Sequence, residues 1–315
     1  MASAGSAMAA ASSGWSPHEL TLIDALLTHV EPKYQKKCGA ILKGEAFSFA
    51  QGWQDWYLFH NLFRDRLQWG NGTYVDIGSN SPLEASNTLF FDKCLGWRGV
   101  CFEPQRGYAN FTRQTRGCTL IPHCALGSAA LVKTVGGGPL AKVEVLKGVS
   151  GGGKDGETQK CVVAPEVLMQ QGIGPGSGRS VDLVSIDVEG NEPSVLKCWP
   201  FATWMPVRAV LIETQEHEMK DVVRFFHRHG FASQQSFSVR YNPRSVATLT
   251  DTLFVKMPEQ HRLPPTGDDW RCTSNMKEHN HFWCASWLEW DPKPKVPGGW
   301  DRCHHARAPP ATQSL

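Results

Sequence analysis

Residues 73–88 read TYVDIGSNSPLEASNT. Thr73, Val75 and Ile77 alternate as in a strand, and the run ends at a single glycine, Gly78. Further on, Ser81 is followed by Pro82 and, three residues after the serine, by Glu84. That is the pattern of a capped helix start with proline at its first position. The stretch is therefore expected to run strand, tight turn, helix. Such a turn suits a nucleotide, because glycine lets the backbone bend sharply and a helix N-terminus offers free N–H groups. A dinucleotide turn needs three glycines in G-x-G-x-x-G. Here Asn80 and Pro82 stand where further glycines would be expected.

The missing glycines count against a pyrophosphate. They count less against a ligand with one carboxylate, such as the methionine end of S-adenosylmethionine. Asp76, Gly78, Ser79 and Asn80 would shape that end of the site, with Asp76 placed to meet a ligand ammonium. In the next unit RGVCFEP reads as a strand ending at Glu103-Pro104, where an acid accepts hydrogen bonds from ribose hydroxyls.

Working outward, strands and helices keep alternating. QRGYANFTRQT is helical, CTLIPHCAL a strand, and LVKTV with AKVEVLKGV a small hairpin. PEVLMQQ is a short helix, VDLVSIDVEG a buried strand, EPSVLKCW a short helix and VRAVLIET a buried strand. A helix then runs to Gly230, and ASQQSFSV and DTLFVKM are late strands. Uniformly apolar strands alternating with helices imply an α/β, doubly wound, mainly parallel sheet. Ligands bind such sheets at the carboxyl ends of the strands. Ahead of this lies a helical segment: Ser16, Pro17 and Glu19 form a capping pattern, and WQDWYLFHNLFRDRL carries an aromatic stripe. The expected organisation is a disordered tail over 1–15, a helical N-terminal extension over 16–70, a ligand-binding domain over 71–257 and an irregular C-terminal tail over 258–315.

The bulk properties exclude several classes. The chain has 315 residues, 41% hydrophobic, and a formal net charge of +2. No basic block argues for nucleic acid, and no apolar run approaches the roughly 20 residues of a membrane span. The Ser/Ala-rich start has neither the basic region nor the apolar core of a secretory signal. The ten cysteines form no C-x-x-C pair, so reduced thiols in a cytoplasmic protein are the default expectation, with bonds within the group Cys94, Cys101, Cys118 and Cys124 left open. Glycosylation sequons at Asn71 and Asn110 are short enough to arise by chance. His279, His281, Cys284, Cys303, His304 and His305 in the tail do not have the spacing of a common zinc site.

Five segments in this order, VDIGSNSPLEASNT, GWRGVCFEPQ, CALGS, VDLVSIDVEGNEPSVLK and VRAVLIET, resemble the FkbM-type methyltransferases. The most specific piece is Ile186-Asp187-Val188-Glu189-Gly190 with Glu192 close behind. The resemblance spans about residues 50–257. It implies a seven-stranded Rossmann-like sheet with its last strand antiparallel, S-adenosylmethionine as cofactor, and methyl transfer to oxygen on a sugar or other small hydroxylated metabolite. It also implies that Glu103 holds the ribose, that Ala125 and Leu126 lie along the adenine, and that Asp187 faces the methionine or substrate end. The family usually has glycine where Pro82 stands and lysine where Ser185 stands.

Methyl transfer to an alcohol needs a base near the attacking oxygen. The candidates are Asp187, Glu189, Glu213 and His217, at the ends of two strands expected to be neighbours. A divalent metal is compatible with these acids but not demanded by them. Two other classes compete: a dinucleotide-dependent oxidoreductase on a similar sheet, and a non-catalytic binding protein of the methyltransferase fold. The expected partner is a small hydroxylated acceptor, not nucleic acid; oligomeric state is not readable.

Overall fold

The computed structural model describes residues 14–45, 47–135, 141–146, 158–174, 179–196, 199, 207–214, 219–239 and 249–257. His217, the opening thirteen residues, most of the Gly-rich stretch and the whole tail from residue 258, with its candidate zinc ligands, lie outside the described residues.

The main sheet has seven strands: β1 (Thr73–Ile77), β2 (Arg98–Phe102), β3 (Thr119–Ile121), β8 (Val181–Ile186), β9 (Val207–Thr214), β10 (Phe231–Val239) and β11 (Leu249–Lys256). Their order is β10-β11-β9-β8-β1-β2-β3. The strands from β3 to β9 are mutually parallel, whereas β11 runs antiparallel to both its neighbours. The sheet is thus mixed, with its antiparallel strand last in the chain. A second sheet, not foreseen as a unit, has the order β4-β7-β5-β6. Its strands are β4 (Cys124–Ala125), β5 (Ala130–Val135), β6 (Lys142–Val145) and β7 (Thr158–Val162). The expected hairpin is the β5–β6 pair, while the stretch read as one strand, CTLIPHCAL, divides between the two sheets.

Strand alternation sends side chains to two cores. Tyr74, Leu183, Ala209 and Leu211 face one side, and Val75, Ile77, Val184, Ile186, Val210 and Ile212 the other. The first core is closed by α1 (Pro17–Leu27), α2 (Pro32–Leu42), α3 (Gln54–Leu58) with the π-helical turn that continues it, and α4 (Leu89–Leu95). The second is closed by α6 (Ala164–Gln170), α7 (Glu192–Leu196) and α8 (Met219–Arg228). α5 (Arg106–Thr115) lies between β2 and β3 in the chain. The N-terminal helices therefore form one layer of the same domain.

The Ser16 capping box forms as its spacing predicts: Ser16 Oγ accepts from the Glu19 N–H and the Glu19 carboxylate accepts from the Ser16 N–H. The same pattern at Ser81–Glu84 does not start a helix. Residues 81–87 are irregular, Ala85 has a φ of 54°, and the helix begins only at Leu89, whose N–H donates to Ser86 Oγ. Tertiary partners hold the stretch open: Ser86 N–H donates to the Phe49 carbonyl, and Arg116 donates to Ser86 Oγ and the Pro82 carbonyl.

The expectation of reduced thiols is also corrected. Cys38–Cys94, Cys101–Cys118 and Cys124–Cys161 are disulfides, with Cα atoms 5.3, 5.9 and 4.4 Å apart. Cys101–Cys118 falls within the group whose bonding was left open, whereas Cys38 and Cys161, 56 and 37 residues from their partners, lie outside it. No helix among the described residues is long and apolar enough to cross a membrane.

Candidate active site

The site forms where β1, β8 and β9 end side by side. Gly78 follows β1 with a φ of +83°. Its N–H and that of Ser79 both donate to the Phe102 carbonyl at the end of β2. A Cβ on Gly78 would lie 1.8 Å from the Asp187 carbonyl oxygen, so the turns after β1 and β8 close only on a glycine. Gly78→Ala should therefore cost about 1–3 kcal/mol in backbone strain alone. Because it pushes away the Asp187 turn, it should abolish cofactor binding. Thermal denaturation and ligand titration check the two effects.

Asn80, at a φ of 45°, turns the chain back toward β2, and its N–H donates to Glu103 Oε2 at 2.7 Å. The Gln105 N–H donates to Oε1 at 2.7 Å. Burial pushes the Glu103 carboxyl up to about 7, with these two N–H groups working the other way. Asp76 is buried beneath the turn and accepts from Thr88 Oγ1, while Arg116 approaches to 4.0 Å. Burial raises its pKa against the pull of Arg116.

Glu189 sits in the left-handed turn after β8 at a φ of 57°, followed by Gly190 at 95°. The turn is braced by Glu192, which accepts the Val188 N–H at 2.8 Å. Asp187, Glu189 and Glu213 each offer an oxygen within 4.8 Å of the others, a set that could hold a metal ion. Asp187 and Glu213 face each other within this set. Burial first, then the crowd of neighbouring carboxylates, raises Asp187 well above its ordinary range and pushes Glu213 up to about 9. The pair cannot carry two negative charges at neutral pH.

A fourth acid was not anticipated. Asp251 on β11 lies opposite Glu213 in the ladder and accepts from Gln54 Nε2 at 2.5 Å. Burial pushes it up to about 6. Its partner is 197 residues away in sequence, so no local pattern marks it.

These groups line a cavity of about 260 Å³ bounded also by Gln51, Asn87 and Tyr108. Six of its lining side chains are acidic: Asp76, Glu84, Asp187, Glu189, Glu213 and Asp251. Among the described residues that line it, none is Lys, Arg or His. Ser185 faces the same space and accepts from Asn87 at 3.3 Å. Glu213 Oε2 and Ser79 Oγ are buried there without a hydrogen-bond partner among the described residues. A smaller recess of about 50 Å³ shares Gly78, Asn80, Asp187 and Glu189 with it. Phe102, Ala125, Val143 and Val188 give that recess apolar walls, and Glu103 and Pro104 stand at its edge. Leu126 is elsewhere, packed with Cys124, Val132 and Cys161 in the core of the second sheet.

The fold is thus an α/β sheet, parallel but for its final strand, with an acidic cavity at the carboxyl edge of its parallel strands. The chain matches the methyltransferase FkbM domain over residues 76–233 and belongs to that family. Membership carries S-adenosylmethionine as methyl donor. No curated protein matches the chain. Solved structures resemble the chain only remotely. A protein designated an RNA methyltransferase from Pyrococcus horikoshii is 10% identical with a TM-score of 0.36, covering 77% of this chain and all (100%) of its own. A protein designated an rRNA methylase from Clostridium thermocellum is 12% identical with a TM-score of 0.38, covering 68% and 99%. An rRNA methylase from Streptococcus thermophilus is 9% identical at 0.33, covering 64% and 93%. Likeness this remote says nothing of substrate.

Proposed function

We propose that the protein transfers a methyl group from S-adenosylmethionine to a hydroxyl oxygen of a small, uncharged or cationic acceptor, a carbohydrate being the class that best fits. The observation that carries this reading is the cavity with six acidic side chains and, among its described lining residues, no basic one. Such a wall attracts a sulfonium and an ammonium and repels phosphates. It opposes both the dinucleotide reading and a nucleic-acid acceptor, whose phosphates would have to approach the same mouth.

The residues present fit the cofactor. Gly78 lets the turns after β1 and β8 close against each other at the cavity floor, and Glu213 Oε2 and Ser79 Oγ are buried groups in want of a partner. Glu103 would accept from the ribose hydroxyls, and Phe102, Ala125, Val143 and Val188 would enclose the adenine. Asp76, Ser79 and Asn80 would surround the methionine end. When bound, the cofactor supplies a methyl group already activated on a sulfonium, so the chain has mainly to align and to take a proton. Asp187 stands beside Glu213 and orients the cofactor, and the Glu213 carboxylate takes the acceptor's hydroxyl proton. Glu189 completes the carboxylate trio. A divalent metal held by Asp187, Glu189 and Glu213 would polarise the acceptor oxygen at the same place.

Calorimetric titration with S-adenosylhomocysteine, with NADH in parallel, tests the reading. The expected result is binding of the first alone, weakened by Glu103→Ala. Hydroxyls that donate to Glu103 favour its ionised form, so the bound pKa falls below the free value of about 7. Affinity should then rise with pH and level off above about 7, and Glu103→Gln should flatten the curve. Binding of NADH alone would return the oxidoreductase reading. Binding of the homocysteine without turnover on a broad hydroxyl panel, with and without Mg²⁺, would favour the non-catalytic one.

A further inference from the structure

We infer that the chain matures in an oxidising secretory lumen and carries N-linked oligosaccharides on Asn71 and Asn110. Two independent observations meet here. The first is the three disulfides. Cys38–Cys94 ties α2 to α4, Cys101–Cys118 ties β2 to the approach to β3, and Cys124–Cys161 ties β4 to β7. They staple three separate parts of the fold, whereas a redox-active site would hold one bond. Bonds of this kind form and persist in oxidising compartments and are rare in a reducing cytosol.

The second is where the two sequons fall. Both asparagines are exposed, so a glycan on either would stand in solvent. Asn71 lies in the turn before β1, at the opposite end of the strand from Gly78 and the cavity. Its Oδ1 accepts from Arg66 Nη1 at 3.4 Å. Asn110 lies on the outer face of α5, and its Oδ1 accepts from Arg113 Nη1 at 3.0 Å. Tyr108, the α5 residue that lines the cavity, is two positions away, roughly 200° around the helix. Glycans at both places would leave the cavity mouth open.

The third residue of the second sequon strengthens the case. Thr112 is 1% exposed, and its Oγ1 has no hydrogen-bond partner among the described residues. A buried, unpaired hydroxyl is a net cost to the fold. The packing would be served as well by a methyl group. The hydroxyl is required instead by a glycosylation acceptor, N-x-S/T.

The chemistry balances with co-reactants of that compartment. Each asparagine Nδ2 attacks the anomeric carbon of a lipid-diphosphate-linked oligosaccharide. The N–C bond forms, the C–O bond to the diphosphate breaks with its electron pair, and one amide proton goes to a base. Each cysteine pair passes two electrons and two protons to a disulfide donor protein by thiol–disulfide exchange.

The test isolates the full chain from the cells that express it, with thiols alkylated at lysis, and maps peptides by mass spectrometry before and after reduction. The expected result is hexose-bearing peptides at Asn71 and Asn110, and alkylation of the six cysteines only after reduction. Asn71→Gln and Asn110→Gln should each remove one glycan. Thr112→Val, which keeps the shape of the side chain, should remove the Asn110 glycan without loss of thermal stability. Unmodified asparagines and cysteines alkylated before reduction would overturn the inference entirely. Bonded cysteines with unmodified asparagines would overturn the glycan assignment.

Discussion

Arg116→Met is expected to lower stability by about 3–5 kcal/mol, the penalty for stranding a buried charge by removing its partner. The guanidinium is fully buried, and Nε donates to Asp92 Oδ2 at 2.6 Å. Nη2 donates to Thr88 Oγ1 at 2.7 Å and to Tyr74 OH at 3.2 Å, and Nη1 to Ser86 Oγ at 3.2 Å. Asp76 lies 4.0 Å from Nη1. Methionine matches much of the volume but leaves Asp92 and Asp76 buried without their cation. The loss should also reach the site, because Thr88 and Ser86 end the irregular stretch that lines the cavity. Urea denaturation should show the lower stability, and S-adenosylhomocysteine titration at low temperature, on the folded fraction, a weaker affinity. The double variant Arg116→Met with Asp92→Leu should recover part of the stability and little of the binding. Full recovery of both would show that Arg116 serves folding alone. The Cys101–Cys118 bond anchors the chain two residues beyond Arg116.

What was legible in the sequence follows the range of the interactions. The buried strands β1, β8 and β9 are written as continuous apolar runs because both faces of each strand meet helices. The Ser16 cap was readable because its partner is three residues away. The identical pattern at Ser81 misled, because Arg116 and Phe49, some 34 and 37 residues from their partners, decide that stretch. Distance likewise hid Arg116, Asp251 and the bonds of Cys38 and Cys161. Asp187, Glu189 and Glu213 were found together because a parallel sheet places the ends of neighbouring strands side by side, a rule of topology that needs no contact map. The direction of the individual side chain was beyond that rule: Ala125 faces the recess, whereas Leu126 turns into the second sheet.

Glu213→Gln should reduce methyl transfer by about 10²–10⁴-fold, the usual worth of a positioned general base. It should also make the folded protein more resistant to alkali. The carboxyl sits at about 9 in the fold, against an ordinary value of 4.5. The folded chain therefore holds a proton that the unfolded chain releases between those values, and stability falls as pH rises through that window. Glutamine removes the slope, so activity should drop while stability at pH 8 rises, which separates chemistry from misfolding. The same raised pKa makes a sharper prediction. At neutral pH Glu213 is protonated and is no base. It loses its proton when positive charge enters the cavity, because that charge offsets the repulsion from Glu189, Asp251 and Glu192 and favours the carboxylate. S-adenosylmethionine brings a sulfonium there and S-adenosylhomocysteine does not. Calorimetry in buffers of different ionisation enthalpy should show more protons released by the first ligand than by the second. Glu213→Gln should erase the difference. Equal release by both ligands in the unaltered protein would mean that the sulfonium does not reach these acids, and the base would have to be sought elsewhere.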